Sequence, residues 1–492
     1  MRRRLRLGPA AALVALALTG TGCAAVAAVA AKTEPRTDPK HPNIVFVLTD
    51  DLDSSLVKYM PQVRKLQREG VNFSDYSVTD SLCCPSRSSI FTGKFPHDTG
   101  VYTNVAPDGG FTVFHDRGNE KATFATRLQK AGYKTAMMGK YLNGYPVSYV
   151  PPGWNEWDVA DKGYNEFNYA MNENGRRVRY GHRPKDYLTD VVAAKGASFI
   201  RRQAEAKNPF MLEIATFAPH GPYTPAPRDR NAFPGLKAPR DPSYNEADIS
   251  DKPAWLSGHK KLTKRQMAKI DRVYRKRAQA VQAVDDLLAK LRATLSDTGQ
   301  AENTYVVFSS DNGYHLGQHR LPVGKQTAFD TDVHVPLTAV GPGVPAGRTV
   351  SVAAQNIDLC PTFTDLGGAP MAGADGRSLA GLLHGQAPPE DWRDAGLVEH
   401  HGPNNAPGDP DRQTKENGNP PTYKALRTAT ATYVEYANGQ REYYDRQRDP
   451  YELTNTYGQL SPSRRARLHK TVRALHTCHG TTSCTKAAHL KQ

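Results

Sequence analysis

His41-Pro-Asn-Ile-Val-Phe-Val-Leu-Thr-Asp-Asp51 carries an unbroken apolar run, Ile44 to Leu48, that stops on two carboxylates. A run without polar alternation suits a strand covered on both faces, as in a parallel sheet flanked by helices. The same design recurs downstream in Asn303-Thr-Tyr-Val-Val-Phe-Ser-Ser-Asp-Asn-Gly313, where Tyr305 to Phe308 leads into Asp311 and Asn312. Ligands of open α/β sheets sit at the carboxyl ends of strands, so Asp50, Asp51, Asp311 and Asn312 are expected to converge on one sheet edge despite their distance in the chain.

Working outward, Phe124–Ala131 reads as a helix and Lys134–Met138 as a strand ending in Gly139-Lys140. Lys185–Glu205 reads as a second helix, followed by a strand over Phe210–Phe217. Val281, Val284, Leu287, Leu288 and Leu291 lie at helical spacing inside a long helix predicted from about Thr263 to Leu295, whose other face is basic. Alternating strands and helices predict an α/β fold with a large, mostly parallel sheet. After residue 394 the chain becomes Asn-, Gly- and Pro-rich at 403–421 and then shows short alternating segments such as Ala431–Tyr436 and Arg441–Asp445. That change predicts a smaller antiparallel C-terminal subdomain over 395–492, after a linker at 32–40 and a catalytic domain at 41–394.

The chain opens with Met1-Arg-Arg-Arg-Leu-Arg, an apolar stretch from Ala10 to Leu18 and a Gly-Thr-Gly-Cys23 junction, the pattern of a signal peptide over 1–31. A membrane anchor needs roughly 20 continuous apolar residues, and Gly20 to Gly22 cut the stretch short. Acylation of Cys23 stays open, although Gly20 stands where lipoprotein signals usually have Leu. The expected protein is therefore exported, either secreted or a cell-surface lipoprotein. With 64 Lys and Arg against 49 Asp and Glu in 492 residues the formal charge is +15, and losing four arginines with the leader leaves +11. A field of that sign suits anionic partners or serves solubility alone. No zinc-finger, RRM or helix-turn-helix signature accompanies it, so an acidic glycan fits better than nucleic acid. In an oxidising compartment Cys478 and Cys484 are expected to close a small disulfide loop, whereas the adjacent Cys83 and Cys84 are badly placed to bridge each other.

That pair lies in Ser81-Leu-Cys-Cys-Pro-Ser-Arg-Ser-Ser-Ile-Phe-Thr-Gly93. Pro85 suits the first turn of a helix, whose amide donors attract anions, and Arg87 adds a fork for a tetrahedral oxyanion. Cys83-x-Pro85-Ser86-Arg87, followed by Thr92-Gly93, matches the type I sulfatase signature, and the chain resembles that family from about His41 to Asn455. The doubled Cys-Cys-Pro-Ser-Arg-Ser-Ser, Gly93-Lys94, Val101–Asn104, Gly139–Tyr145, Pro151–Trp154, Ala218–Pro222 and Ser310–Gln318 resemble in particular the N-acetylglucosamine-6-sulfatases and extracellular heparan endosulfatases.

The resemblance implies an alkaline-phosphatase-like α/β sandwich and a formylglycine made from Cys83 by a separate maturation enzyme. The hydrated aldehyde takes the sulfate on one hydroxyl, and collapse through the other expels it. Asp50, Asp51, Asp311 and Asn312, with the modified Cys83, are implied ligands of a divalent cation, Ca²⁺ by its preference for hard oxygen donors, with Mg²⁺ as the alternative. Arg87 is implied to fix the hydrated aldehyde, Lys140 and Lys325 to bind sulfate oxygens, and His220 to protonate the leaving alcohol. Many sulfatases have Lys-Trp-His where this chain has Lys140-Tyr141-Leu142, so the His that steadies the diol is missing; Asn143 and His315 are the candidate substitutes. The implied substrate is the 6-O-sulfate of N-acetylglucosamine in glycosaminoglycans or their fragments. Aryl or other carbohydrate sulfates, a phosphomonoester or phosphonate hydrolase, and an inactive glycan-binding protein are the alternatives.

Overall fold

The computed structural model describes residues 41–490; the leader, Cys23 and the 32–40 linker lie outside them. Its strands are β1 (Asn43–Thr49), β2 (Val71–Phe73), β3 (Tyr76–Ser77), β4 (Lys134–Gly139), β5 (Glu156–Asp161), β6 (Ala170–Glu173), β7 (Arg176–Arg179) and β8 (Phe210–Ala215). They continue with β9 (Thr304–Ser310), β10 (Leu337–Val340), β11 (Arg348–Val350), β12 (Ala354–Gln355), β13 (Ala395–His400), β14 (Tyr423–Thr428), β15 (Ala431–Tyr436) and β16 (Arg441–Asp445).

The main sheet runs β11-β2-β10-β9-β1-β8-β4-β5-β6-β7. Its centre, β9-β1-β8-β4-β5, is parallel, with antiparallel pairings toward both margins. The apolar run of β1 explains its central place. Ile44, Phe46 and Leu48 enter the core on one face, beneath the helices Cys83–Thr92, Phe124–Lys130 and Leu359–Leu366. Val45 and Val47 enter the core on the other, with residues of Pro61–Glu69, Leu188–Ala206 and Lys264–Asp297. Each such fully buried side chain contributes roughly 1.5–3 kcal/mol relative to exposure, which no half-exposed position could match. The fold is the expected α/β sandwich.

The second sheet, β13-β14-β15-β16, is antiparallel throughout, as the alternating C-terminal segments predict. It docks on the main body through Glu399 N donating to Thr79 O (2.8 Å) and through a core shared by Phe95, Ile357, Leu397 and Leu426. Cys478 and Cys484 form a disulfide beside this core. Here Glu399 accepts from His97 Nδ1 at 2.8 Å and His476 Nδ1 at 2.5 Å, while His97 Nε2 meets Cys478 O at 3.0 Å. With acceptors at both ring nitrogens His97 is an imidazolium: burial opposes its charge, but Glu399 outweighs burial and pushes its pKa up to about 9. The two histidines hold Glu399 down at about 2 against burial.

Because the folded pKa of His97 exceeds its ordinary 6.5, its stabilisation is complete below that value and is lost as pH rises through about 9. The Glu399 contribution is present above its ordinary 4.5 and is lost as pH falls through about 2. Melting temperature should therefore fall as pH rises from 6.5 to about 9, and His97→Gln should flatten that slope; parallel pH profiles for both proteins would exclude the pair as its source.

Candidate active site

The in-register parallel pairing of β1 with β9 sets Leu48 against Ser309 and Thr49 against Ser310, so the residues that follow, Asp50-Asp51 and Asp311-Asn312, leave the sheet side by side. Asp311 N donates to Thr49 O at 3.0 Å, and Asp51 N donates to Asp311 Oδ1 at 3.1 Å. Asp51 has φ +65°, a left-handed conformation that Asp tolerates better than most residues and that turns its carboxylate into the site. The neighbouring strand tips complete the edge. Lys140 follows Gly139, whose φ of +99° and closeness to Ala215 O leave no room for a Cβ, letting Lys140 N donate to that carbonyl at 2.8 Å. His220 lies five residues beyond the end of β8.

The helix Cys83–Thr92 lies over this edge with Cys83 as its first residue. Asn104 Oδ1 accepts from Cys84 N at 2.9 Å, supplying the helix cap that Leu82 lacks. Cys83 Sγ lies 3.2 Å from Asp50 Oδ1, 3.9 Å from Asp51 Oδ1 and 2.8 Å from Lys325 Nζ. Arg87 Nε donates to Asp311 Oδ2 at 2.8 Å, while its Nη2, 3.8 Å from Asp50, is buried with no hydrogen-bond partner. Lys140 Nζ reaches Asp50 at 2.5 Å and Lys325 Nζ reaches Asp51 at 2.6 Å. All of these side chains are buried.

Burial so deep would neutralise an isolated lysine, yet both lysines have pKa values far above the ordinary one. Burial opposes the charge, and the carboxylates of Asp50 for Lys140 and of Asp411 and Asp51 for Lys325 overcome it. His220 is pushed up to about 9 in the same way, against burial, by Asp51 and Asp411. Asp311 is lowered, Arg87 outweighing its burial. The Cys83 thiol goes the other way: burial, then Asp411 and Asp50, raise its pKa well above the ordinary value. Unmodified Cys83 is thus held as a neutral thiol, unsuited to be a thiolate nucleophile.

The residues read from sequence as metal ligands and as sulfate-binding cations all meet around Cys83. Asp50, Asp51, Cys83 and His220 each place one ligand atom within 4.8 Å of the others, a possible metal site. Asn312 Oδ1 is buried without a hydrogen-bond partner while its Nδ2 donates to Asp51 Oδ1 at 2.7 Å. An orphaned carbonyl oxygen among carboxylates fits a hard cation. Neither Asn143 nor His315 hydrogen-bonds Cys83. Asn143 Nδ2 donates to Tyr164 Oη at 3.3 Å, and His315 is held between Asp332 (3.0 Å) and Asn417 O (2.9 Å).

Two residues of the site are absent from the sequence reading. Asp411, on the loop between β13 and β14, places Oδ1 at 2.8 Å from His220 Nε2 and 2.9 Å from Lys325 Nζ, and Oδ2 at 3.4 Å from Cys83 Sγ. Its carboxylate occupies the donors expected to meet a sulfate ester. Arg277, buried inside the long helix, donates to the Asp51 carbonyl and to Asp53 Oδ2 (3.1 Å) and props the β1 tip from below. Asp411 lies in an Asn- and Gly-rich loop and Arg277 in a run of basic residues, so neither carries a local signal.

Comparison with known proteins adds an independent line. The sequence pattern of the sulfatase family matches residues 42–369, and that of the N-sulphoglucosamine sulphohydrolase C-terminal region matches 317–477. N-acetylglucosamine-6-sulfatase of Homo sapiens is 35% identical over 97% of this chain and 92% of its own. The extracellular sulfatase SULF-1 homolog of Drosophila melanogaster is 37% identical over 74% of this chain but only 33% of its own length. Among solved structures, BT4656 in complex with its substrate D-glucosamine-2-N,6-O-disulfate superposes with a TM-score of 0.73 at 23% identity, covering 88% of this chain and 97% of that one.

Proposed function

From the premise that the chain belongs to the sulfatase family and is a sulfuric ester hydrolase, we propose that it removes the 6-O-sulfate of N-acetylglucosamine in glycosaminoglycans or their fragments, after export. The observation that carries this reading is the buried ring of Arg87, Lys140, Lys325 and His220 about Cys83, which offers a sulfate group cationic donors while excluding water. The human relative's length and identity support the sugar. The catalytic unit is 41–394, and 395–492 contributes Asp411. Secretion or acylation at Cys23 is the remaining choice of location.

In this proposal a maturation enzyme oxidises Cys83 to formylglycine, whose hydrated aldehyde supplies an oxygen nucleophile and a route for sulfate release that thiol and serine lack. Asp50, Asp51, Asp311, Asn312 and modified Cys83 would hold a divalent cation, Ca²⁺ or alternatively Mg²⁺, which would offset negative charge on the ester. Arg87, with its spare Nη2, orients the nucleophile. Lys140 and Lys325 hold the sulfate oxygens, and Asp411 gives up its contact with Lys325 and His220 to the incoming ester. His220 donates a proton to the departing sugar oxygen, which leaves poorly as an alkoxide.

Turnover of N-acetylglucosamine 6-sulfate, assayed beside aryl sulfates and a phosphate monoester, tests the reading. Faster phosphate than sulfate turnover would overturn it. Intact-peptide mass spectrometry across Cys83 separates the enzyme, carrying an aldehyde, from a silent glycan binder carrying a thiol. Chelation should remove activity and added Ca²⁺ or Mg²⁺ should restore it; metal-stripped protein of undiminished activity would rule out the cation.

A further inference from the structure

The helix Lys264–Asp297 serves the site at Arg277, but its first turns carry a different feature. Lys261, just before the helix, and Arg265, Lys269, Arg272 and Lys276 follow one another at intervals of four, four, three and four residues. The four within the helix therefore form a single stripe along one face, which Lys261 precedes in the chain. All five are exposed, and among the described residues none forms an ion pair or side-chain hydrogen bond. Between Lys252 and Asp285 the sequence holds one acid, Asp271, and that carboxylate is already taken by Arg240 at 2.6 Å. From Arg265 to Lys276 the stripe runs about 17 Å along the axis. Neighbouring Cβ atoms along it stand about 5–6 Å apart, inside one screening length at physiological salt. Unpaired like charges at this spacing weaken a helix, and an anionic partner laid along the stripe removes that repulsion.

The stripe is connected to the reaction site. His259 Nε2 meets Lys415 O at 2.9 Å, at the head of the stripe. Lys415 belongs to the loop that carries Asp411, and Asn417 O of that loop contacts His315, whose N donates to Gly324 O beside Lys325 at 2.8 Å. The loop that carries Asp411 therefore touches both His315, bonded beside Lys325, and His259, which leads into the stripe.

We infer that the stripe Lys261-Arg265-Lys269-Arg272-Lys276 is a docking surface for a sulfated polysaccharide whose reacting sugar occupies the active site. The polymer's identity rests on the sulfatase reading; the polyanion surface itself does not. Repeating anions on an extended chain match evenly spaced cations on a helix face, and each contact releases counterions, so affinity must fall as salt rises.

The test replaces all five residues with Gln, which keeps helix propensity, and compares parent and variant for binding to heparin and for turnover of N-acetylglucosamine 6-sulfate. Heparin affinity at about 0.15 M salt is expected to drop by about tenfold or more, with a shallower salt dependence, since five exposed contacts are lost. Turnover of the monosaccharide should stay within about twofold, because no stripe residue touches Cys83 or its partners. A second variant exchanging Lys for Arg and Arg for Lys at the same positions should keep heparin affinity. Unchanged heparin affinity in the Gln variant overturns the proposal. So does tighter parent binding of duplex DNA or of phosphatidylserine vesicles than of heparin, lost in the Gln variant, because the surface would then serve nucleic acid or membrane. A parent that binds heparin through the stripe but hydrolyses no sulfated sugar would refute the substrate assignment and leave the docking surface standing.

Discussion

Cys83→Ala should lower sulfate-ester turnover by on the order of 10⁴-fold or more while the protein still folds, the loss typical of removing a covalent nucleophile. The side chain is small and wholly buried, so its truncation costs little packing. What disappears is the group that four cationic side chains and the acidic strand tips surround. The measurement is kcat together with thermal melting. Retained turnover in Cys83→Ala would move the nucleophile elsewhere, and neighbouring Cys84 offers no substitute: it too is buried, and burial pushes its thiol up to about 12.

The second large effect depends on the substrate's leaving group. His220→Ala should reduce kcat for a sugar sulfate by about 10²- to 10⁴-fold, the range for loss of a general acid. An aryl sulfate whose phenolate leaves readily should lose far less. The prediction follows from the imidazole's charge: before the ester arrives, Asp51 and Asp411, overcoming burial, push its pKa up to about 9, so it enters the reaction protonated at neutral pH. An equal loss on both substrates would assign His220 to binding or support of Asp411, which it contacts at 2.8 Å, and not to proton donation.

Much of the scaffold was legible locally. The apolar runs of β1 and β9 announce strands covered on both faces, and the acids at their ends announce a site at the strand tips. Phe124, Ala125 and Leu128 sit buried on the predicted helix before β4, and the long helix begins at Lys264, one residue after the predicted Thr263. The Cys83–Arg87 motif identified the nucleophile region because its residues are contiguous. Asp411 was illegible for the opposite reason. Its role comes from a long loop closing back across the site, held by Asn104 Nδ2 at 2.8 Å and Gln326 Nε2 at 2.7 Å, and no spacing rule links those positions. Arg277 looked like one more cation on a basic helix; only packing shows that its face turns inward while Lys276 beside it stays in solvent.

By itself the sequence determined the class of the sheet, the acidic tips of its strands and the identity of the reactive segment, because each depends on neighbouring residues and short-range periodicity. The tertiary structure alone decided which charges are paired in the dark interior and which stand free at the surface. A lysine's chemistry is set by what surrounds it, and in this chain those surroundings come from segments hundreds of residues away: Lys325 meets Asp51 across 274 positions, whereas the lysines and arginines of the stripe are exposed and pair with no acid among the described residues.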